Sequence, residues 1–317
     1  MGLSQRQWHK FLGLGVLSIL VALPLKVISQ SAVATPTATT SQVNIFQAIV
    51  LGFVQGATEF LPISSTAHLK VVPVALGWGD PGVAFTAVIQ LGSIAAVLWY
   101  FWRDLKNIAM GSIAAIAQKD YEAQEFKLAL GIAFGTIPIV FLGLLIKIFI
   151  PDFDNSPLRS LGAIAVASIV MSLLLGIAEK IGSRKRKFDK LGVKDGILMG
   201  LGQSLALIPG VSRSGSTLTA GLFMGLERAT AARFSFLLGI PAITLAGLVE
   251  LKSVDWKALG IAPVIVGVIS AAIFSYLAIA WLLKFLQTQS TWVFIWYRLI
   301  FGVAILAAIF TGVLQNS

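Results

Sequence analysis

Gln55-Gly56-Ala57-Thr58-Glu59-Phe60-Leu61-Pro62-Ile63-Ser64-Ser65-Thr66-Ala67-His68 sets ionisable and hydroxyl side chains inside one long apolar run. A carboxylate at membrane depth costs on the order of 3 kcal/mol unless it is paired, bound to a metal or turned to a wet cavity, so Glu59 marks a functional site by default. The surroundings supply the membrane. With 57% hydrophobic and 12% charged residues and a mean hydropathy of +0.88, the chain is far more apolar than a soluble core of this length requires. It reads as an all-α polytopic membrane protein. Of its 14 acidic residues, Glu59 alone lies away from hydrophilic segments and from the ends of apolar runs.

A net charge of +10 would point to nucleic acid in a soluble protein. Here much of the excess sits in short loops between apolar segments, where the positive-inside rule puts it, and the expected partner is a membrane with anionic lipid heads rather than nucleic acid. The chain has no cysteine, which excludes disulfides, thiolate catalysis and Cys-ligated zinc. Any metal must use oxygen or imidazole ligands.

Residues 1–43 have the parts of a secretory leader: Arg6, His9 and Lys10, an apolar run over 11–25, and Ser31-Ala32-Val33-Ala34 before a Thr/Ala/Pro tract. An extra membrane helix is the alternative, and both deliver residue 44 to the outer face. Six later runs are long enough to cross, at 85–102, 128–150, 161–181, 234–251, 261–286 and 292–314. Two further apolar regions, 45–76 and 197–226, are interrupted near the middle by Pro62-Ile63-Ser64-Ser65-Thr66 and by Pro209-Gly210-Val211-Ser212-Arg213-Ser214-Gly215. Each reads as two half-helices around a polar turn, an arrangement tolerated at membrane depth only where the irregular backbone is buried or lines a cavity.

The two interrupted regions resemble each other. Gly52-x-x-Gln55 recurs as Gly200-x-x-Gln203, a proline follows each Gln at nearly the same distance, and Phe85 has Phe234 as its counterpart. The chain is expected to be a repeat of one broken re-entrant hairpin plus three spans, over 44–181 and 195–314, joined by a basic linker at 182–194. Three crossings per unit is odd, so the second unit enters from the opposite side and the repeat is inverted. Loop charge agrees: the linker and the 103–127 loop are basic and cytoplasmic, whereas Pro151-Asp152-Phe153-Asp154 is acidic and external.

Gln55 and Glu59 are four apart and share a helix face, so both can point into one cavity. Gln55 alone would serve equally as an interhelical hydrogen bond. Ser64, Ser65 and Thr66 stand at the N-terminus of the second half-helix, where hydroxyls cap free N–H groups and an anion is attracted. His68 follows them and is the only histidine outside the leader. An imidazole beside hydroxyls can act as general base or acid, which makes Glu59, Ser65 and His68 a candidate catalytic cluster. In the second turn Arg213 offers a planar cationic fork to phosphate oxygens. Ser212, Ser214, Gly215 and Thr217 add hydroxyls and inward N–H groups. A buried Arg213–Glu59 bridge is compatible with this cradle when it is empty. A phosphorylated lipid with a divalent metal would satisfy both halves.

Gln55-x-x-x-Glu59-Phe60-Leu61-Pro62-Ile63-Ser64-Ser65-Thr66-Ala67-His68, together with Pro209-Gly210-Val211-Ser212-Arg213-Ser214-Gly215-Ser216-Thr217 and Phe234-Ser235-Phe236-Leu237-Leu238, closely resembles the bacterial undecaprenyl-diphosphate phosphatase family, also called the bacitracin-resistance protein family. The resemblance covers about 44–314. It implies hydrolysis of a polyprenyl diphosphate to the monophosphate and inorganic phosphate for envelope synthesis. It also implies a divalent cation (Mg²⁺ or Ca²⁺), a multi-pass place in the bacterial plasma membrane and a site open to the outer face. By residue, Glu59 matches the second acidic position and Gln55 takes the amide option at the first. Ser65 and His68 match the hydroxyl and histidine positions, and Ser212, Arg213, Ser214 and Thr217 match the phosphate-binding motif.

The expected arrangement has Glu59 and Gln55 on the metal and Arg213 with its neighbours on the diphosphate. His68 then assists attack by either water or Ser65. An inverted-repeat transporter or lipid flippase is the rival reading. A type-2 phosphatidic-acid phosphatase would need a Ser-Gly-His element and a later His, and neither occurs. The self-association state is left open, with room for a homodimer.

Overall fold

Where the apolar runs are unbroken they form long helices, and where proline and paired serines interrupt them the helices stop. The computed structural model describes residues 43–316 apart from 151, 154, 155, 253, 255, 257 and 258, so the leader expected over 1–43 lies, but for its last residue, outside the described residues. The helices in chain order are α1 (Ile45–Glu59), α2 (Ser65–Ala75), α3 (Gly82–Tyr100), α4 (Trp102–Gln118), α5 (Gln124–Phe149), α6 (Leu161–Ile181), α7 (Val193–Ser204), α8 (Arg213–Phe223), α9 (Arg228–Leu251), α10 (Ile261–Phe285) and α11 (Trp292–Phe310). Among the described residues there is no β-strand. Six helices, α3, α5, α6, α9, α10 and α11, are long and apolar enough to cross a membrane, matching the six runs read from sequence. The chain is an all-helical, multi-pass membrane protein.

Both interrupted regions are helix–turn–helix breaks. The first arm α1 is fixed at its start by a reciprocal cap between Asn44 and Gln47 and ends at Phe60. The backbone then turns, and Ser64 takes φ 73° and ψ 99° while its side chain accepts from Ala67 N at the head of α2. The second break runs through Leu205–Leu207 and Gly210 (φ 92°) to Ser212, at φ 71° and ψ 116°, whose side chain accepts from Gly215 N at the head of α8. Such positive φ is unfavourable for a residue with a Cβ. Serine occupies it at both breaks because the same hydroxyl caps the helix that follows.

Each first arm lies against a span from the other part of the chain: α1 along α10, and α7 along α5. The approach is backbone to backbone. A Cβ on Gly52 would stand 2.4 Å from the Gly267 carbonyl oxygen, and one on Gly200 would stand 2.1 Å from that of Gly135. Helices α3 and α9 pack together, as do α6 and α11.

The 103–127 stretch, expected as a basic loop, instead holds helix α4. Leu105 and Ile108, three apart, pack toward the core while Arg103 and Lys106 are exposed. Lys119 ends the helix in the left-handed conformation (φ 57°). Amphipathic spacing, rather than charge, sets the backbone there. An ion pair between Asp104 and Arg233 ties α4 to α9.

The linker is likewise built rather than loose. Arg186 donates to both carboxylate oxygens of Asp195 at 2.8 Å, a hydrogen bond that holds its guanidinium above its ordinary pKa. Nearby, the buried Glu179 carboxylate gathers Arg184, Arg228 and the Thr291 hydroxyl, pinning the ends of α6, α9 and α11.

Candidate active site

The two breaks meet. At the end of α1, Glu59 accepts on Oε2 from the Ser65 hydroxyl at 2.8 Å and from Gln55 Nε2 at 3.2 Å. The i to i+4 spacing of Gln55 and Glu59 places them on one face, as their sequence requires. Gln55 Nε2 also reaches Ser93 Oγ at 3.4 Å, and Ser93 in turn accepts from Ser275 at 2.8 Å, so α1, α3 and α10 share a buried polar chain ending on the carboxylate.

From the other break, Arg213 Nη2 reaches Glu59 Oε1 at 3.4 Å, with side-chain exposures of 9% and 8% for the Arg and the Glu. This is a long contact for a charged pair. Arg213 Nε and Nη1 are buried and have no hydrogen-bond partner among the described residues. Its guanidinium lies over the Phe60 ring, 5.8 Å from the centroid, and Phe60 stands edge-on to Phe236. The space it fills exists because residue 239 on α9 is glycine: a Cβ there would fall 1.8 Å from Arg213 Nη1. A buried guanidinium with two unused donors at the N-terminus of α8 has the chemistry of an anion site.

The remaining expected residues divide. Ser212 caps α8 and lies 3.2 Å from Ser214 Oγ, while Ser214 donates to the Leu61 carbonyl at 2.9 Å and links the two turns. Thr217 is fully buried, donates to the Arg213 carbonyl at 2.8 Å and shares a short hydrogen bond with Ser235, so it steadies the first turn of α8. Gly215 supplies the N–H that Ser212 caps. Ser64 caps α2, and Thr66 is exposed.

His68 lies apart from the Glu59–Ser65 pair: Nδ1 donates to the Ser64 carbonyl at 2.7 Å, leaving Nε2 to accept from the Tyr297 hydroxyl at 2.5 Å. Its ring also stacks on Phe301 at 4.4 Å. The hydroxyl partner of Ser65 is Glu59, not the imidazole.

A divalent metal finds one carboxylate here. Among the described residues no three His, Asp or Glu side chains converge, and Gln55 turns its amide nitrogen to Glu59. That donor set fits an ion that takes most of its ligands from phosphate oxygens and water, as Mg²⁺ does.

Sequence reasoning missed Ser93, Ser275, Gly239, Tyr297 and Arg298. Arg298 carried a usable signal, because a cation inside the apolar 292–314 run is as conspicuous as Glu59. The serines and the glycine carried none, being ordinary residues of apolar helices.

The sequence model of the family described as Bacitracin resistance protein BacA matches residues 48–304. The chain is 70% identical to the undecaprenyl-diphosphatase of a Nostoc species, over 100% of both chains. It is 61% identical to the one from Trichodesmium erythraeum, over 97% of this chain and 100% of that one. It is 70% identical to the Synechocystis protein of the same name, over 85% of this chain and 84% of the other.

Proposed function

We propose, because the chain belongs to the Bacitracin resistance protein BacA family, that it hydrolyses undecaprenyl diphosphate to undecaprenyl phosphate and inorganic phosphate, and does so where its two turns meet. The observation that carries the site is Arg213, which has two buried nitrogens without a partner among the described residues, next to a carboxylate–hydroxyl pair. An anion that fits there would occupy the free donors and meet Ser65 at the same time.

In the proposed reaction, Arg213, the N–H groups at the head of α8 and the Ser212 hydroxyl hold the terminal phosphate. Ser65 attacks its phosphorus, passing its proton to Glu59 Oε2 as the new P–O bond forms. The bridging P–O bond breaks, and undecaprenyl phosphate leaves with the electron pair. Glu59 gives that proton to the departing phosphate and, ionised again, takes one from the water that attacks the phosphoserine. The P–Oγ bond breaks, Ser65 Oγ recovers the proton from Glu59, and inorganic phosphate leaves. The Glu59–Ser65 hydrogen bond favours this route over direct attack by water. Gln55, backed by Ser93, orients the carboxylate. His68 acts through Ser64, keeping the α2 cap in place. Mg²⁺ or Ca²⁺, held by Glu59 and the diphosphate, would neutralise charge on the transferring group.

The architecture proposed around this site is an inverted repeat of two re-entrant hairpins. The exchange of arms, α1 on α10 and α7 on α5, supports it, as do the matching Ser64 and Ser212 conformations. With the basic linker cytoplasmic, both chain ends of the fold lie outside. The site then opens to the outer face of the bacterial plasma membrane.

Phosphate release by purified protein in detergent tests the enzyme reading against a transporter, because detergent leaves no compartments. Release that stops with a chelator while thermal stability is kept supports the reaction and its substrate-bridging ion. A phosphoserine trapped at residue 65 supports the covalent route. Full activity in Ser65→Ala would exchange it for attack by water.

A further inference from the structure

We infer that Arg298 is a positioning residue that yokes the two turns, fixing the Glu59 side of the site against the Arg213 side. The inference rests on the two-turn site proposed above but stands on separate contacts. Arg298 is in the interior of α11 and is 0% exposed. Its Nη1 donates to the Pro62 carbonyl at 3.1 Å, and its Nη2 donates to those of Gly210 at 2.9 Å and Val211 at 3.0 Å. Pro62 and Gly210 are 148 positions apart, the same offset as Ser64 and Ser212 or Gln55 and Gln203. One planar fork therefore takes equivalent carbonyls from both breaks.

The physical need is plain. A helix break buried in a membrane protein leaves carbonyls without intrahelical donors, and each unpaired one is costly where water is scarce. Arg298 satisfies both breaks with one group, so neither turn can shift without disturbing the other. Among the described residues its partners are three carbonyls and no carboxylate, an expensive way to bury a charge unless the bridging matters.

Two neighbours reinforce the seat. Gly215 leaves room, since a Cβ there would stand 2.8 Å from Arg298 Nη1. Tyr297, adjacent on α11, holds His68 in the first turn of α2. Lysine cannot reproduce the geometry, because a single ammonium does not span two separated carbonyl sets as a guanidinium does.

Hydrogen–deuterium exchange on the purified full-length chain, with Arg298→Lys and Arg298→Met, tests this beside steady-state phosphate release. The amides of both 60–68 and 208–216 should exchange at least about tenfold faster in each variant, while those of α6 and α10 keep their protection. Turnover should fall roughly 10²-fold from misplacement of the two halves, with KM within about threefold because Arg213 stays on its own helix. Exchange unchanged in both turns, or loosened in one alone, overturns the yoke whatever the activity does. Should Arg298→Met fail to fold, Arg298→Lys decides: wild-type exchange and turnover in it would equally sink the proposal. The exchange result stands apart from the assigned reaction, so a wild-type protein that releases no phosphate would refute that assignment and leave the yoke to be judged by its own measurement.

Discussion

The turn after α1 and the turn after α7 share a backbone and differ in charge. Both place a serine at positive φ, both use its hydroxyl to cap the following half-helix, and both give a carbonyl to Arg298. At positions 148 apart, however, Glu59 faces Leu207, Ser65 faces Arg213 and His68 faces Ser216 in the sequence register. The two turns thus share a capped-serine geometry while their side chains differ: one carries the carboxylate and hydroxyl, the other the cation. Neither half alone has the groups for phosphoryl transfer.

The strongest challenge to this division is at Arg213. Arg213→Lys keeps the charge and loses the fork, and should cost on the order of 10³-fold in turnover, close to the loss in Arg213→Ala. A lysine variant within tenfold of wild type would mean that a point charge is enough. Gly239→Ala comes next. The added methyl would push on the flexible end of Arg213 rather than on backbone, so turnover should fall roughly 10²-fold with little change in thermal unfolding. Combined with Arg213→Ala it should add nothing further, which a double-mutant cycle reads directly.

The smallest effects probe the shared backbone. Ser64→Ala and Ser212→Ala each lose a cap while keeping the strained φ, and should each destabilise by about 1 kcal/mol. Ser64→Gly and Ser212→Gly relieve the strain and should come out near neutral. Matching pairs in thermal denaturation support equivalent turns; a cost at one turn alone would show that the resemblance is only of sequence.

Much of this was legible in the chain. Continuous apolar runs dictate spans, and Pro62 and Pro209 with their serines dictate breaks, because helix geometry fails there whatever the tertiary setting. Glu59, Gln55, Ser65 and Arg213 were findable because polar groups in apolar runs are costly. What could not be read was pairing. Nothing in spacing says that Ser65 bonds Glu59 while His68 turns to Tyr297, since the two side chains leave the same helix turn and their partners lie on different elements. The identity of α4 was hidden by a charge pattern that masked its apolar face.

A double-mutant cycle on Glu59→Gln and Arg213→Lys, read as single-turnover phosphate release from undecaprenyl diphosphate, tests most directly whether the two turns form one site. If both side chains act on the same phosphate, each single variant loses roughly 10³-fold and the double variant falls no more than about tenfold below the worse single. Losses that multiply, or wild-type release in Glu59→Gln, would contradict a shared site.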